Sequence, residues 1–470
     1  MSHPALHSPS RRLRTRLLVL GSCALLPFAA CRTEDPRPGL GHHTGGSTTS
    51  SSDSGDAGAH NGSGGVDFGV GSGGRVAEGG TAGEGGSGTG GGPSSGTGGG
   101  DNPGTTPGTA CGEAPVQGGD FSKKLLLQSA GACSAYQACL FSEAAFELGR
   151  QVTLYADDPT DERLENARAA WIDAVVVWSK TTPSQFGPVA SVTSDAYHGR
   201  GIGAFIHAWP SVNRCEVEKR VISRAYESGY DGIVPSGRGL SALEYLLFYD
   251  GSDTVCSANS STGKTWVELS SAEIAQAKRD YAKSLVGDVY LKAEELVSVW
   301  AKDGENFSAA LESAEGYGSE QEALNVVAWS FYYAHDYLRD LKVGPLAGIG
   351  TALRNDLTPY AQVDLESAIA NLEAFRALFQ GCGEDGGGIG FDDWLVAVGA
   401  GELAQGILEA LDDIEARAAG LPPLHTATPE DMATFYADLK VLTDLLKGQF
   451  FGSGSVLNLK LPASAASDTD

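Results

Sequence analysis

From Phe121 onward, apolar side chains return every three to four residues with polar ones between them, the spacing of a helix that buries one face. This pattern predicts helices over 121–155, 162–181, 236–249, 268–303, 319–341, 357–380, 391–416 and 429–448. The punctuation agrees with it. Pro159 and Asp161 stand where the second helix should start, and Ser270 with Glu273 reads as a capping box. Gly344-Pro345, Gly383 to Gly388 and Leu421-Pro422-Pro423 fall where turns are needed. No segment alternates with period two, so the expected fold class is all-α: an antiparallel helical bundle, or two bundles side by side. A faint echo supports the second form. Ala170-Trp171 leads to Phe186-Gly187-Pro188, much as Ala328-Trp329 leads to Val343-Gly344-Pro345.

The pattern is absent before residue 111. Of the 64 glycines, 28 fall between Arg32 and Ala110, in a stretch rich also in Ser and Thr, with scattered Asp and Pro. Such a composition buries too little apolar surface to offset the entropy of ordering, so residues 31–110 are expected to form a disordered tether. Ahead of it, Arg11, Arg12, Arg14 and Arg16 precede an apolar run from Leu17 to Ala30, too short to span a bilayer comfortably. The run ends in Phe28-Ala29-Ala30-Cys31, which resembles a bacterial lipobox. The expected organisation is a signal peptide over 1–30, a lipidated Cys31 with its tether over 31–110, and a helical domain over 111–470. A free tether of 79 residues (32–110) reaches roughly 50 Å. Arg32 after the acylated cysteine, where Asp would resemble an inner-membrane retention signal, favours the outer membrane of the cell envelope. The membrane is then met through the lipid anchor only.

Net charge changes the picture by exclusion. At −26, and nearer −30 without the four N-terminal arginines, the surface repels phosphate backbones, so no nucleic-acid partner is expected. Six cysteines remain in the exported domain: Cys111, Cys133, Cys139, Cys215, Cys256 and Cys382. An even number in an oxidising compartment reads as up to three disulfides of open connectivity, and no Cys-x-x-Cys pair suggests zinc or thioredoxin-like chemistry.

Several segments, taken in order, resemble the imelysin-like family of exported bacterial proteins, some of them classed as metallopeptidases. Ala167-Arg168-Ala169-Ala170-Trp171, with Trp178 and Phe186-Gly187-Pro188, is similar to the family's first Trp-bearing helix and its exit. Ala208-Trp209-Pro210 resembles its Trp-Pro segment, and Gly239 to Phe248 resembles its signature helix. Leu439 to Leu446 with Phe451, Asn458, Asp468 and Asp470 loosely follows its C-terminal pattern. The resemblance implies two four-helix-bundle-like halves and a Gly-x-His-x-x-Glu motif. Here that motif reads Gly239, Ser241, Glu244, with serine at the histidine position.

A His and a Glu three residues apart share one helix face and can hold a cation together; a serine is a poor ligand for a transition metal. Glu244 alone does not make a catalytic zinc site, which needs three protein ligands and an open position. His207, close to Trp209-Pro210, is the best replacement ligand, so Glu244 and His207 are the candidate metal residues and the candidate cofactor is a divalent or iron cation. Without that role, Glu244 pairs with a bundle cation or caps a neighbouring helix. Ser241 lacks the strand and second glycine of a nucleophile elbow. His335-Asp336 with Arg339-Asp340 reads as an ion network or part of a pocket, and Trp329 to Tyr337 as core or the wall of a haem or ligand pocket.

Three functions follow. The first is a non-catalytic binding or accessory protein for metal or haem uptake, working with an envelope protein partner or a metal/haem ligand. The second is a metallopeptidase, and the third a surface interaction scaffold. The long tether suits the first and third. The second has no catalytic residue to name, because the signature is incomplete and no His-Glu-x-x-His occurs.

Overall fold

The structure, a computed structural model, describes Val66, Phe68, Cys111 and residues 118–350, 357–382 and 386–462. The signal segment, Cys31, most of the Gly/Ser/Thr stretch, Asp468 and Asp470 lie outside the described residues. Two residues inside the expected tether are placed: Val66 and Phe68 pack on the helical domain. They are apolar exceptions within a polar stretch, which a composition argument averages away.

Long helices frame the first half. α1 (Lys123–Asp157) starts where the Ser122 hydroxyl accepts from the Leu125 N–H. α2 (Asp161–Thr181) starts on Thr160, with Asp161 and Glu162 in its first turn complementing the helix dipole. After α2 come a 3₁₀ turn at Gly187–Val189, α3 (Ile202–Ile206) and α4 (Arg214–Ser223). The periodicity did not predict these; α3 has only five residues, and α4 is mostly polar, with Val217, Glu218 and Val221 its buried positions. α5 (Gly239–Phe248), α6 (Ser261–Glu268) and α7 (Ser271–Trp300) follow, α7 opening on the Ser270/Glu273 capping box read from the sequence. α8 (Phe307–Glu312) and α9 (Glu320–Trp329) complete this half. α1 lies against α2 and α7, and α5 is wedged between the same two.

The chain then passes through a 3₁₀ turn and a π-helix, Ala334–Val343, into α10 (Gly344–Leu346), α11 (Asp364–Gln380), α12 (Phe391–Ala397), α13 (Gly401–Gly420) and α14 (Pro429–Leu445). α13 packs on α14 and α11, the π-helix on α14, and α11 leans back on α2. Phe331 centres this second half, its ring 4.7 Å from Phe375, 5.0 Å from Phe391 and 5.7 Å from Phe450. The fold is all-α, and no strand occurs among the described residues. Three expected helices differ in form. The 319–341 helix turns into the π-helix, the 357–380 helix begins only at Asp364, and the 391–416 helix breaks between α12 and α13.

All six candidate cysteines are paired: Cys111–Cys139, Cys133–Cys382 and Cys215–Cys256. The second ties α1 to the end of α11 across 249 residues, against 28 and 41 for the others. Closing a longer loop removes more entropy from the unfolded chain. Replacing Cys133 and Cys382 together by Ser should therefore lower unfolding free energy by roughly 3–5 kcal/mol, more than either other pair. Denaturant titration of the three double variants checks the order.

Candidate functional site

Among the described residues, one large cavity of about 620 Å³ opens where the two halves of the chain meet, a size common for small-molecule sites. Four segments wall it: the end of α2 with Trp178 and Thr182; the loop carrying Gln185, Ser191 and Ser194; α3 with His207 and Trp209; and 329–342 with Tyr332, Tyr333 and Lys342. Asp195 organises the loop. Fully buried, it accepts from the N–H groups of Gly187, Tyr197 and His198 and from the Tyr317 hydroxyl, at 2.8–3.0 Å.

The π-helix supplies the opposite wall. Its wider turn buries His335, Arg339 and Lys342 while Asp336 and Tyr337 also reach the cavity. The expected ion network is present. His335 Nδ1 lies 3.0 Å from Asp336 and its Nε2 3.0 Å from the Arg339 guanidinium, which also holds Asp340 and the Thr443 hydroxyl. Trp329 to Tyr337 lines the cavity as well as filling core.

Lys342 is the cation of the site. Its ammonium donates to Asn371 Oδ1 at 2.7 Å, and Asn371 donates onward to the Ser179 carbonyl at 2.6 Å. The Trp209 and Tyr333 rings lie 5.5 and 5.6 Å away, within cation–π range. Burial pushes Lys342 down to about 8, partly offset by Asp364, so it is still charged at neutral pH. His207 has a buried Nε2 without a hydrogen-bond partner. Burial, then the Lys342 charge, pushes it down to about 3, so the imidazole is neutral.

Glu244 does not line this cavity. It is buried in α5 and accepts from the backbone N–H groups of Tyr360 and Ala361 at 2.8 and 2.9 Å. That loop is fixed from its other end by Asp364, which accepts from the Leu357 and Thr358 N–H groups and the Thr358 hydroxyl. Leu357 then presents itself to the cavity. At the start of α5, Gly239 has φ +76°, and a Cβ there would meet the Ile206 and Phe205 carbonyl oxygens at 2.5 and 2.8 Å. Only glycine fits so tightly against the segment that delivers His207. Ser241 Oγ is buried without a hydrogen-bond partner. The motif helix thus braces two cavity walls from behind.

The imelysin family model matches residues 132–444. The chain belongs to the imelysin family. Two solved structures are similar to it. An imelysin-like protein from Psychrobacter arcticum is 17% identical with a TM-score of 0.54, covering 73% of this chain and 98% of that one. A candidate iron-regulated protein A precursor from Parabacteroides distasonis is 13% identical with a TM-score of 0.51, covering 71% and 97%. No curated protein matches.

Within this imelysin-family fold, the two candidate metal residues serve different places: His207 faces the cavity and Glu244 the loop behind it. Among the described residues, the one set of three His, Cys, Asp or Glu donor atoms close enough to share an ion is Cys111, Cys139 and Glu143, and its cysteines are joined in a disulfide. A lone imidazole beside an ammonium is a poor seat for a bare cation. Sequence reasoning missed Lys342, because a charge inside an apolar helix pattern reads as exposed until the partner helix is known, and Asp195, because its partners in the loop and at Tyr317 are set by the fold. Asp392 is pushed up to about 6 by burial and then by the Asp393 charge.

Two predictions follow from this geometry. Glu244→Ala leaves two buried N–H groups without an acceptor and should cost about 2–4 kcal/mol, whereas Glu244→Gln keeps an acceptor and should cost about 1 kcal/mol; urea titration separates them. His207 binds its proton more weakly folded than unfolded, so stability should fall as pH drops from about 6.5 toward 3, by about 1 kcal/mol per unit. In His207→Gln that part of the pH dependence should vanish when unfolding is compared at pH 7 and pH 5.

Proposed function

We propose that this chain is a non-catalytic binding protein of the cell envelope, held at the membrane by a lipid on Cys31, and that it takes an anionic ring ligand in the cavity beside His207. One observation carries the reading: a neutral imidazole whose buried Nε2 has no hydrogen-bond partner and a charged Lys342 both belong to the lining of one aromatic-walled cavity. The ammonium that lowers the basicity of His207 also repels a free metal ion. A metal already wrapped in an anionic organic frame escapes that repulsion. Its negative groups fall opposite Lys342, its plane stacks on tryptophan and tyrosine, and its metal can accept the imidazole nitrogen. Haem is the chelate of this kind that fits a role in iron or haem uptake.

The anchor rests on the arginine-led apolar run that ends at Ala29-Ala30-Cys31, and the outer-membrane placement on Arg32. Among the described residues, no helix is long and apolar enough to cross a membrane. A tethered receptor of this kind would exchange its ligand with an envelope partner.

Haemin titrated into the full chain should bind at one equivalent, quenching tryptophan fluorescence and shifting the Soret band. Lys342→Met should weaken binding at least about tenfold. His207→Ala should abolish the Soret shift yet leave metal-free protoporphyrin binding as before. Tight binding of free zinc or iron with haemin ignored would overturn the reading, as would haemin binding indifferent to both substitutions.

A further inference from the structure

Phe68 is the only Phe, Tyr or Trp between residues 32 and 110, and it is 4% exposed. Its ring meets Phe146 of α1 at 5.7 Å and Tyr290 of α7 at 5.8 Å, both edge-on, and those two rings meet each other edge-on at 5.6 Å. The slot that admits it is made by a missing side chain. A Cβ on Gly149 of α1 would stand 2.1 Å from the Phe68 ring. Val66 rests on a second glycine, Gly287 of α7, where a Cβ would find it at 3.7 Å. Glycine is a poor helix former, yet each of these two long helices carries one where the Val66–Phe68 segment crosses it.

We propose that the groove between α1 and α7 is a binding site for a pair of apolar side chains in Val-x-Phe spacing, and that its occupants are the chain's own Val66 and Phe68. The clip divides the tether. Phe68 is held in the groove, and Cys111 is held to α1 by its disulfide with Cys139, so the tether is fixed to the domain at two points. On the reading that Cys31 carries the lipid, only the 36 residues 32–67 then separate it from the domain, with a reach of roughly 33 Å instead of roughly 50 Å. Release of one aromatic side chain switches the domain from the short leash to the long one.

The test uses the full chain and a chymotrypsin-type protease, which cuts after phenylalanine and finds no other aromatic residue in the tether. Cleavage after Phe68 should be slow in the native protein and at least about tenfold faster in Gly149→Ala, which fills the slot, since burying a phenylalanine shifts such an equilibrium by that order. A second readout depends on sign. Gly149→Ala should lower Tm in the native chain but raise it in the Phe68→Ala background, where only the helix propensity gain remains. Equal cleavage in both proteins, or the same rise in Tm in both backgrounds, would overturn the clip.

Discussion

A helix buried on every side must settle its polar groups within the protein, and α5 is buried at each position from Gly239 to Leu247. The Trp171 indole N–H donates to the Leu240 carbonyl, linking α5 to α2. Tyr245 donates to Glu218, which also takes Arg214, the Thr254 hydroxyl and the Val255 N–H, linking α5 to α4 and the loop before α6. Glu244 gathers the Tyr360 and Ala361 N–H groups from the other half of the chain. Just before α5, Arg238 is paired with Asp288 in a buried ion pair, and Tyr281 donates to the Gly237 carbonyl. Each contact is a condition for α5 to sit where it does, and together they place the walls of the cavity.

The division between what was legible and what was not follows the range of the interactions. Capped, strongly periodic helices could be read, as at Ser270/Glu273 and along 161–181, because caps and periodicity act within one or two turns. The irregular pieces could not. The π-helix at 334–343 looks in sequence like a continuation of α9, since its extra residue per turn is selected by packing against α14. The loop 357–363 reads as helix until Glu244 and Asp364 are known to claim its N–H groups.

The candidate site divided in the same way. His207 was picked out by its nearness to Trp209-Pro210, and it does face the cavity. Glu244 was picked out by a motif, and one of its carboxylate oxygens accepts from the Tyr360 and Ala361 N–H groups outside the cavity. Lys342 carried no signal, yet its charge shapes the chemistry of the cavity. A bare divalent ion, an anionic chelate and a neutral organic ligand could all have been drawn from the sequence. The proposal of an anionic chelate rests on a charged Lys342 in the same cavity lining as His207, a juxtaposition that the sequence does not display.

The pairing of the cysteines has a consequence for how the protein is made. In chain order the six residues join first to third, second to sixth and fourth to fifth. If the chain is exported as proposed, Cys111 and Cys133 are the first two of these six to arrive, and joining them gives a wrong bond. Cys133 must wait until nearly the whole domain has followed it, while Cys139, six residues further on, takes Cys111. The native crosslinks therefore form either after the helices have brought α1 and α11 together, or by exchange through a thiol–disulfide shuffling catalyst. Under the proposed export, maturation would hinge on the order of folding and oxidation or on the isomerising capacity of the compartment, a dependence that a bundle with neighbour-to-neighbour crosslinks would not have.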